Sequence, residues 1–304
     1  EHHSEFLEEA TIIETKEKET QHLKPVNEVA FDLKDLRTPE LTIAQNGANI
    51  QKPVIRGLGG NRVITVNQGI IQQDQQWGQD HALALSFYPD DDFEIIKGGR
   101  SIVYGTEAIG GVFRIKDPLL SATSSFYGTS LQSNGLGANV KLGNTQVVNN
   151  KIAFRLRGSG SINGDLRAPD YYLTNTSQNK YNIEGDAKYM NDGWLSLAKV
   201  SYDYRLSGIL RGSHIGNQTD FEAALHRDTP MFTGSFDYKT INPKQQVGHF
   251  SSLFKTQKRF GDKLLRIRYT YQNNHRQEYD VRRGDANNKP AINLILQTHH
   301  ANVG

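Results

Sequence analysis

From residue 119 onward apolar and polar residues alternate with a period of two, as strands do when their two faces meet different environments. Ile152, Phe154 and Leu156 share one face of a short segment, and Arg155 and Arg157 share the other. Tyr181, Ile183, Ala187 and Tyr189 oppose Lys180, Asn182, Glu184, Asp186 and Lys188. Leu265, Ile267, Tyr269 and Tyr271 oppose Arg266, Arg268, Thr270 and Gln272, and Ile292, Leu294 and Leu296 mark a further strand. The pattern predicts strands near 124–132, 137–144, 151–160, 178–190, 194–206, 248–260, 263–274 and 291–302. Within 194–204 the phase slips from Leu195 and Leu197 to Val200, Tyr202 and Tyr204, which predicts a bulge near Ala198.

The connections carry a second signal. Links at 145–150, 191–193 and 261–262 are tight, the last two holding Asp192-Gly193 and Gly261-Asp262, which suit hairpin turns. Between them lie long links at 161–177, 207–247 and 275–290; only 133–136 breaks the rhythm. Short turns on one side and long loops on the other are the layout of an outer-membrane barrel. On pattern alone, a soluble sandwich with large insertions stays open.

Residues 41–118 read differently, as compact and glycine-punctuated. A strand–tight loop–strand unit runs through Pro53–Val66 to a turn at Asn67-Gln68-Gly69. A strand over Asp92–Lys97 is closed by Gly98-Gly99, and a short turn or helix at Ser101–Glu107 leads into Ile109–Ile115. The pairs Gly59-Gly60, Gly98-Gly99 and Gly110-Gly111 mark places where a Cβ would clash or φ is positive. No Gly-Lys-Ser/Thr or GxGxxG frame surrounds them, so phosphate cradling is not indicated. Residues 1–40 hold eleven acidic against five basic residues and read as a solvated, partly disordered leader. Its β-prone island is Ala10-Thr11-Ile12-Ile13-Glu14.

Composition adds limits. The 35 Lys+Arg against 33 Asp+Glu give a net charge of +2, with no basic stripe for nucleic acid. Cysteine is absent, which removes disulfides, thiolate metal sites and cysteine nucleophiles. No run of about 18 apolar residues offers a spanning helix. The start, Glu1-His2-His3-Ser4-Glu5, has no signal-peptide features, so any secretory signal is expected to have been removed. No Ser-His-Asp, HExxH or paired-acid arrangement stands out; no catalytic residue, resident metal or cofactor is expected.

Four segments resemble a known family. Pro53–Val63 is similar to the "IRG" motif of the plug of TonB-dependent outer-membrane receptors. Phe93–Val112 resembles the plug's second signature over about twenty consecutive positions, with Gly99 where proline is usual. Arg211–Asn217 and Asn274–Gly284 look like receptors of Bacteroidota type. The stretch from Leu41 to Pro53 is shorter than the family pattern. The resemblance implies a mainly β fold, a small α+β plug inside a large antiparallel transmembrane barrel of about 22 strands. About eight are present here, and an eight-stranded lumen could not hold a plug. The expected organisation is a periplasmic leader at 1–40, the plug at 41–118 and barrel strands at 119–304.

It also implies active import across the bacterial outer membrane, most simply of a scarce metal complex (siderophore, haem or metal ion), with oligosaccharide or peptide as alternative cargo. A barrel hydrolase or an adhesive barrel subunit is the reading from another class. The implied partners are a TonB-type energy-coupling protein, outer-membrane lipid and an extracellular ligand. Ala10, Thr11, Ile12, Ile13 and Glu14 resemble the TonB box, a handle suited to strand pairing, or form the plug's first strand. Arg56 matches the plug arginine that pairs with barrel carboxylates, and Lys97 stands where the second signature carries a basic residue. Gln72, Asp74, Gln75, Gln76, Trp77, Asp80 and His81 fall at the expected apex, a polar, aromatic surface suited to a ligand. Arg211 and His214 are the loop candidates. Asp80-His81-Ala82 is similar to plug loops of zinc-uptake relatives, yet needs a third ligand, such as His214, before it could hold a metal.

Overall fold

The architecture is that of a computed structural model, which describes residues 20–23, 33, 36, 39–46, 50–73, 83, 85–213, 217–281 and 288–304. The segment Ala10–Glu14, most of the expected apex and His214 lie outside the described residues.

The N-terminal unit is built on β1 (Thr20–Leu23), β2 (Leu41–Asn46), β3 (Ile50–Ile55), β4 (Val63–Asn67), β5 (Ile70–Ile71), β6 (Phe93–Ile96) and β7 (Gly111–Ile115). Five of them form one sheet in the order β1-β6-β7-β4-β5, and β2 and β3 form a separate hairpin. β4 and β7 run parallel, with the 3-10 turns Gly98–Tyr104 and Thr106–Ile109 packed into the connection. Every residue of β4 is buried, because both sheet faces are covered. One face meets Leu33, Leu36, Ile55, Phe87, Phe93, Ile95, Phe113 and Ile115; the other holds Ile64, Val66, Ile96 and Val112. Since β1 joins this sheet and Leu33 and Leu36 enter its core, plug packing reaches ahead of the boundary expected at residue 40. The reason for the glycines is clearest at Gly110-Gly111. A Cβ on Gly110 would lie 2.8 Å from the Arg62 carbonyl, and Gly111 combines φ +133 with a carbonyl 2.9 Å from where its Cβ would be.

The C-terminal unit is a single antiparallel meander. It comprises β8 (Ser124–Gln132), β9 (Gly137–Val147), β10 (Ile152–Asn163), β13 (Gln178–Asn191), β14 (Trp194–Gly208), β15 (Lys244–Phe260), β16 (Lys263–Tyr279) and β17 (Ile292–Val303). A two-stranded hairpin, β11 (Leu166–Arg167) with β12 (Tyr172–Leu173), decorates the first long loop, and helix α1 (Gln218–Leu225) lies in the second. All eight expected strands are present, and four of them, β10, β14, β15 and β16, run further at the loop end. The bulge expected at Ala198 is not there. Ala198 pairs in unbroken register with Ala187 and Phe254. The phase slip arises instead because the strand's odd-numbered face, polar at Lys199, Ser201 and Asp203, turns apolar at Leu195 and Leu197 near the hairpin turn.

Which face is buried decides between sandwich and barrel. Ile152, Phe154 and Leu156 are 40%, 46% and 56% exposed, whereas Arg155 and Arg157 are 4% and 1% exposed. A sandwich buries the apolar face. This sheet turns it outward and covers the charged face with the plug, the inverse pattern expected of strands that face lipid.

Candidate functional site

The seam between the plug and the inner face of the strands concentrates most of the buried charge. Strand register creates its wall: Arg155 lies opposite Asp186, which in turn lies opposite Lys199, and Arg157 lies opposite Glu184. Arg155 holds Asp186 at 2.8 Å and Lys199 holds Glu184 at 2.5 Å. The Arg157 guanidinium also pairs with Glu184, its Nε donating at 3.1 Å. The plug supplies the remaining acceptors. Arg157 Nη1 reaches Asp91 at 2.6 Å and Asp90 at 2.7 Å, and Arg155 reaches Asp90 at 3.0 Å. Gln68, in the turn after β4, accepts from Lys199 at 2.8 Å and Arg155 at 3.2 Å while donating to Asp91 at 3.2 Å.

Tyr88 completes the cluster. The Arg157 guanidinium lies 4.2 Å from its ring centroid, a cation–π contact in a dry setting. Its hydroxyl donates to Asn182 on β13. Burial, reinforced by the Glu184 carboxylate, pushes the Tyr88 hydroxyl far above its usual range, so it stays a neutral donor. Burial also raises the Asp91 carboxyl above the ordinary aspartate range, against the pull of Arg157. The local turn fixes that carboxylate, which accepts from the Tyr88 backbone N–H at 2.8 Å.

Further contacts are hydrogen bonds or ion pairs of the same kind. Lys141 donates to the Phe87 carbonyl, Lys188 to the Leu119 carbonyl at 3.2 Å, and Lys255 pairs with Asp117 at 2.8 Å. Gln272 on β16 donates to the Ile71 carbonyl at 2.9 Å and Arg205 on β14 to the Leu83 carbonyl at 2.7 Å. These two bonds fix the chain on either side of the expected apex.

The residues expected to seat the plug do not lie in the seam formed with these eight strands. Arg56 is exposed in the turn after β3 at φ +52, with no ion pair among the described residues. Lys97 pairs with Glu40 of the plug itself, because the end of β6 lies beside the start of the β2–β3 hairpin. In this seam the pairing runs from plug carboxylates to strand cations. Of the expected ligand contacts, Gln72 is buried, its backbone N–H donating to the Thr65 carbonyl at 2.9 Å. Arg211 lies over the Phe232 ring of its own loop, 4.7 Å from the centroid. Asp74, Gln75, Gln76, Trp77, Asp80, His81 and His214 fall outside the described residues. Among those described, no group of three acidic or histidine side chains could hold a metal. Two signals pointed to the real seam: the run Asp90-Asp91-Asp92 and the arginines sharing the polar face of 151–157.

Residues 8–112 match the family described as TonB-dependent Receptor Plug Domain. The heme/hemopexin utilization protein C of Haemophilus influenzae is 35% identical over 107 residues, covering 34% of this chain and 14% of that protein. A hemin receptor of Yersinia enterocolitica is 31% identical over 152 residues, 45% of this chain and 22% of the relative. The chain therefore matches less than a quarter of the length of these relatives. In fold it is similar to the siderophore receptor PirA of Acinetobacter baumannii (TM-score 0.64, 13% identity, 93% of this chain and 44% of that one). It is equally similar to the ferric enterobactin receptor PfeA of Pseudomonas aeruginosa (TM-score 0.64, 12% identity, 96% and 46%).

Proposed function

We propose that this chain, a TonB-dependent receptor plug followed by eight strands with the fold of the receptor barrels, forms part of an active importer of a scarce metal complex across the bacterial outer membrane. The observation that carries the reading is the chemistry of the seam. A plug that must stay shut and yet be withdrawn needs a seal whose broken contacts water can replace. Hydrogen bonds and ion pairs meet that need, because each freed group is resolvated, whereas separated apolar surfaces remain exposed at about 25 cal/mol per Å². The plug's own sheet, by contrast, is held by aromatic and aliphatic packing and is suited to move as a unit. The names of the Haemophilus and Yersinia relatives favour a haem-type cargo among metal complexes.

In this reading Ala10–Glu14 is the handle for the energy-coupling protein, and Asp74, Gln75, Gln76, Trp77, Asp80 and His81, with Arg211 and His214, contact the cargo, whereas the buried Gln72 does not. Among the described residues no helix is long and apolar enough to cross a membrane; the strands are the spanning elements. Deleting Ala10–Glu14 from the full-length receptor should abolish energy-dependent uptake of haem or a ferric siderophore while leaving binding of the same compound intact. Uptake that persists after the deletion would sink the handle. Binding of neither compound by the intact receptor would overturn the metal-complex assignment.

A further inference from the structure

On the outward face of the sheet, at the loop end, β14, β15 and β16 form a groove of about 300 Å³. Strand register explains its shape. Tyr202, Phe250 and Asn273 form one cross-strand row; Tyr204, Gly248 and His275 form the next; Gln246 and Gln277 close the third. Gly248 is the floor: a Cβ there would lie 2.8 Å from the Tyr202 hydroxyl, so only glycine leaves the centre open with that ring in place. Tyr204 is stacked on Tyr181 with centroids 4.7 Å apart, which fixes one wall. On the other side His275 Nε2 lies 2.7 Å from Asn293 Oδ1, which orients the imidazole.

Position and chemistry together define the occupant. Toward the hairpin-turn end the same outward face continues as Val200, Phe254, Tyr269 and Tyr271, an apolar and aromatic band suited to lipid tails. The groove sits at the upper margin of that band, where barrels meet headgroups. Three rows cover roughly 13 Å of strand. The volume is at the small end of ligand pockets, about 300–1,000 Å³, which suits a sugar unit and not a bundle of acyl chains. Aromatic faces on one side and amide and imidazole groups on the other match a ring with apolar faces and hydroxyl edges. None of the described residues lining the groove is lysine or arginine; the nearby Lys244 lies over the Tyr279 ring. A phosphate alone would find no cation inside.

We propose that this groove is a binding site for the neutral sugar portion of an outer-leaflet glycolipid, holding it against the outside of the barrel. The proposal rests on the membrane placement given above but not on any cargo. The test uses the full-length receptor, purified in an amine-oxide detergent that carries no sugar. It is incubated with rough-type lipopolysaccharide or with phosphatidylglycerol, and bound lipid is counted by native mass spectrometry. The wild-type receptor should retain lipopolysaccharide in preference to phosphatidylglycerol. Gly248→Leu, which fills the floor, and the double substitution Asn273→Leu with His275→Leu, which removes the polar wall, should each weaken lipopolysaccharide retention about tenfold. Haem or siderophore binding should be unchanged in both, which separates this site from the transport reading. If Gly248→Leu does not fold, the double variant decides. Equal retention by wild type and the folded variants, no retention by wild type, or equal retention of phosphatidylglycerol would overturn the proposal.

Discussion

The plug and the strand wall solve opposite problems with the same alphabet. In the plug, Phe93 and Phe113 stack with centroids 5.9 Å apart inside a sheet covered on both faces, while Arg56 and Glu107 stay outside. In the wall the order is inverted: Arg155, Arg157, Glu184 and Lys199 are inside, and Ile183 and Phe154 are outside. The difference teaches where cohesion is meant to be permanent. Apolar packing holds the plug to itself, and contacts that are mostly polar hold it to the wall, with the Tyr88–Phe126 ring pair, centroids 6.0 Å apart, crossing the seam beside them. The import proposed above, in which plug and wall separate without the plug unfolding, needs that division.

Two substitutions test the division at its strongest points. Phe113→Ala should destabilise the plug by about 3–5 kcal/mol, as large core truncations do. Its signature is loss of plug structure in the full-length receptor, read by hydrogen exchange on β4 and β7, with the barrel intact. Arg157→Ala should weaken seating by roughly 3–5 kcal/mol, because it strands the Asp91 and Glu184 carboxylates without their main partner. Here the plug's own exchange protection should persist while the force needed to extract it, measured by single-molecule pulling from the N-terminus, falls. If Phe113→Ala lowered extraction force while sparing plug protection, the two regions would not be distinct in the way described.

Much of the wall was readable from sequence because a strand's period is two and two of the tight turns leave a trace, Asp192-Gly193 and Gly261-Asp262. The alternation could not say which face was buried. Ile152/Phe154/Leu156 against Arg155/Arg157 reads identically in a sandwich and in a barrel, and only the plug's location resolves it. The plug's core strands and glycines were legible because Phe93–Val112 is dense in constraints, such as Gly111 at positive φ. The seam was the least legible part. It is assembled from Gln68, Asp90 and Asp91 on one unit and from Arg155, Arg157, Glu184 and Lys199 on three strands of the other, so no local pattern spans it. Arg56 and Lys97 were picked on family position, and position does not report which carboxylate a cation reaches.

The outward face gives a sharper test of inversion. Ile183 is 54% exposed in the middle of β13. On a soluble sheet, Ile183→Arg would be close to neutral, since an exposed site accepts charge. The register partner of Ile183 is Tyr202, so it would face lipid just below the headgroup margin, where the same change should cost about 1–2 kcal/mol, between the interface and midplane values. Urea titration of the full-length receptor in lipid vesicles would measure it, with Ile183→Leu as the control that should leave the midpoint in place. A neutral Ile183→Arg in vesicles would mean that this face does not meet the hydrocarbon core.

The smallest effect is expected at the edge of the seam, and its salt dependence carries the information. Lys255 and Asp117 pair at 2.8 Å, but both side chains keep more than a fifth of their surface in solvent. A hydrated pair of this kind contributes about 0.2–1 kcal/mol, so Asp117→Asn should lower the extraction force only slightly. That difference should shrink further as salt is raised, since the Debye length falls to roughly 3 Å at 1 M. The Arg157 cluster lies out of reach of mobile ions and should keep its contribution across the same range. Comparing Asp117→Asn and Arg157→Ala at low and high salt therefore maps how far water enters the seated plug. If both lost their effect together, the seam would be wet throughout, and the seal would depend on the number of contacts more than on the buried cluster at its centre.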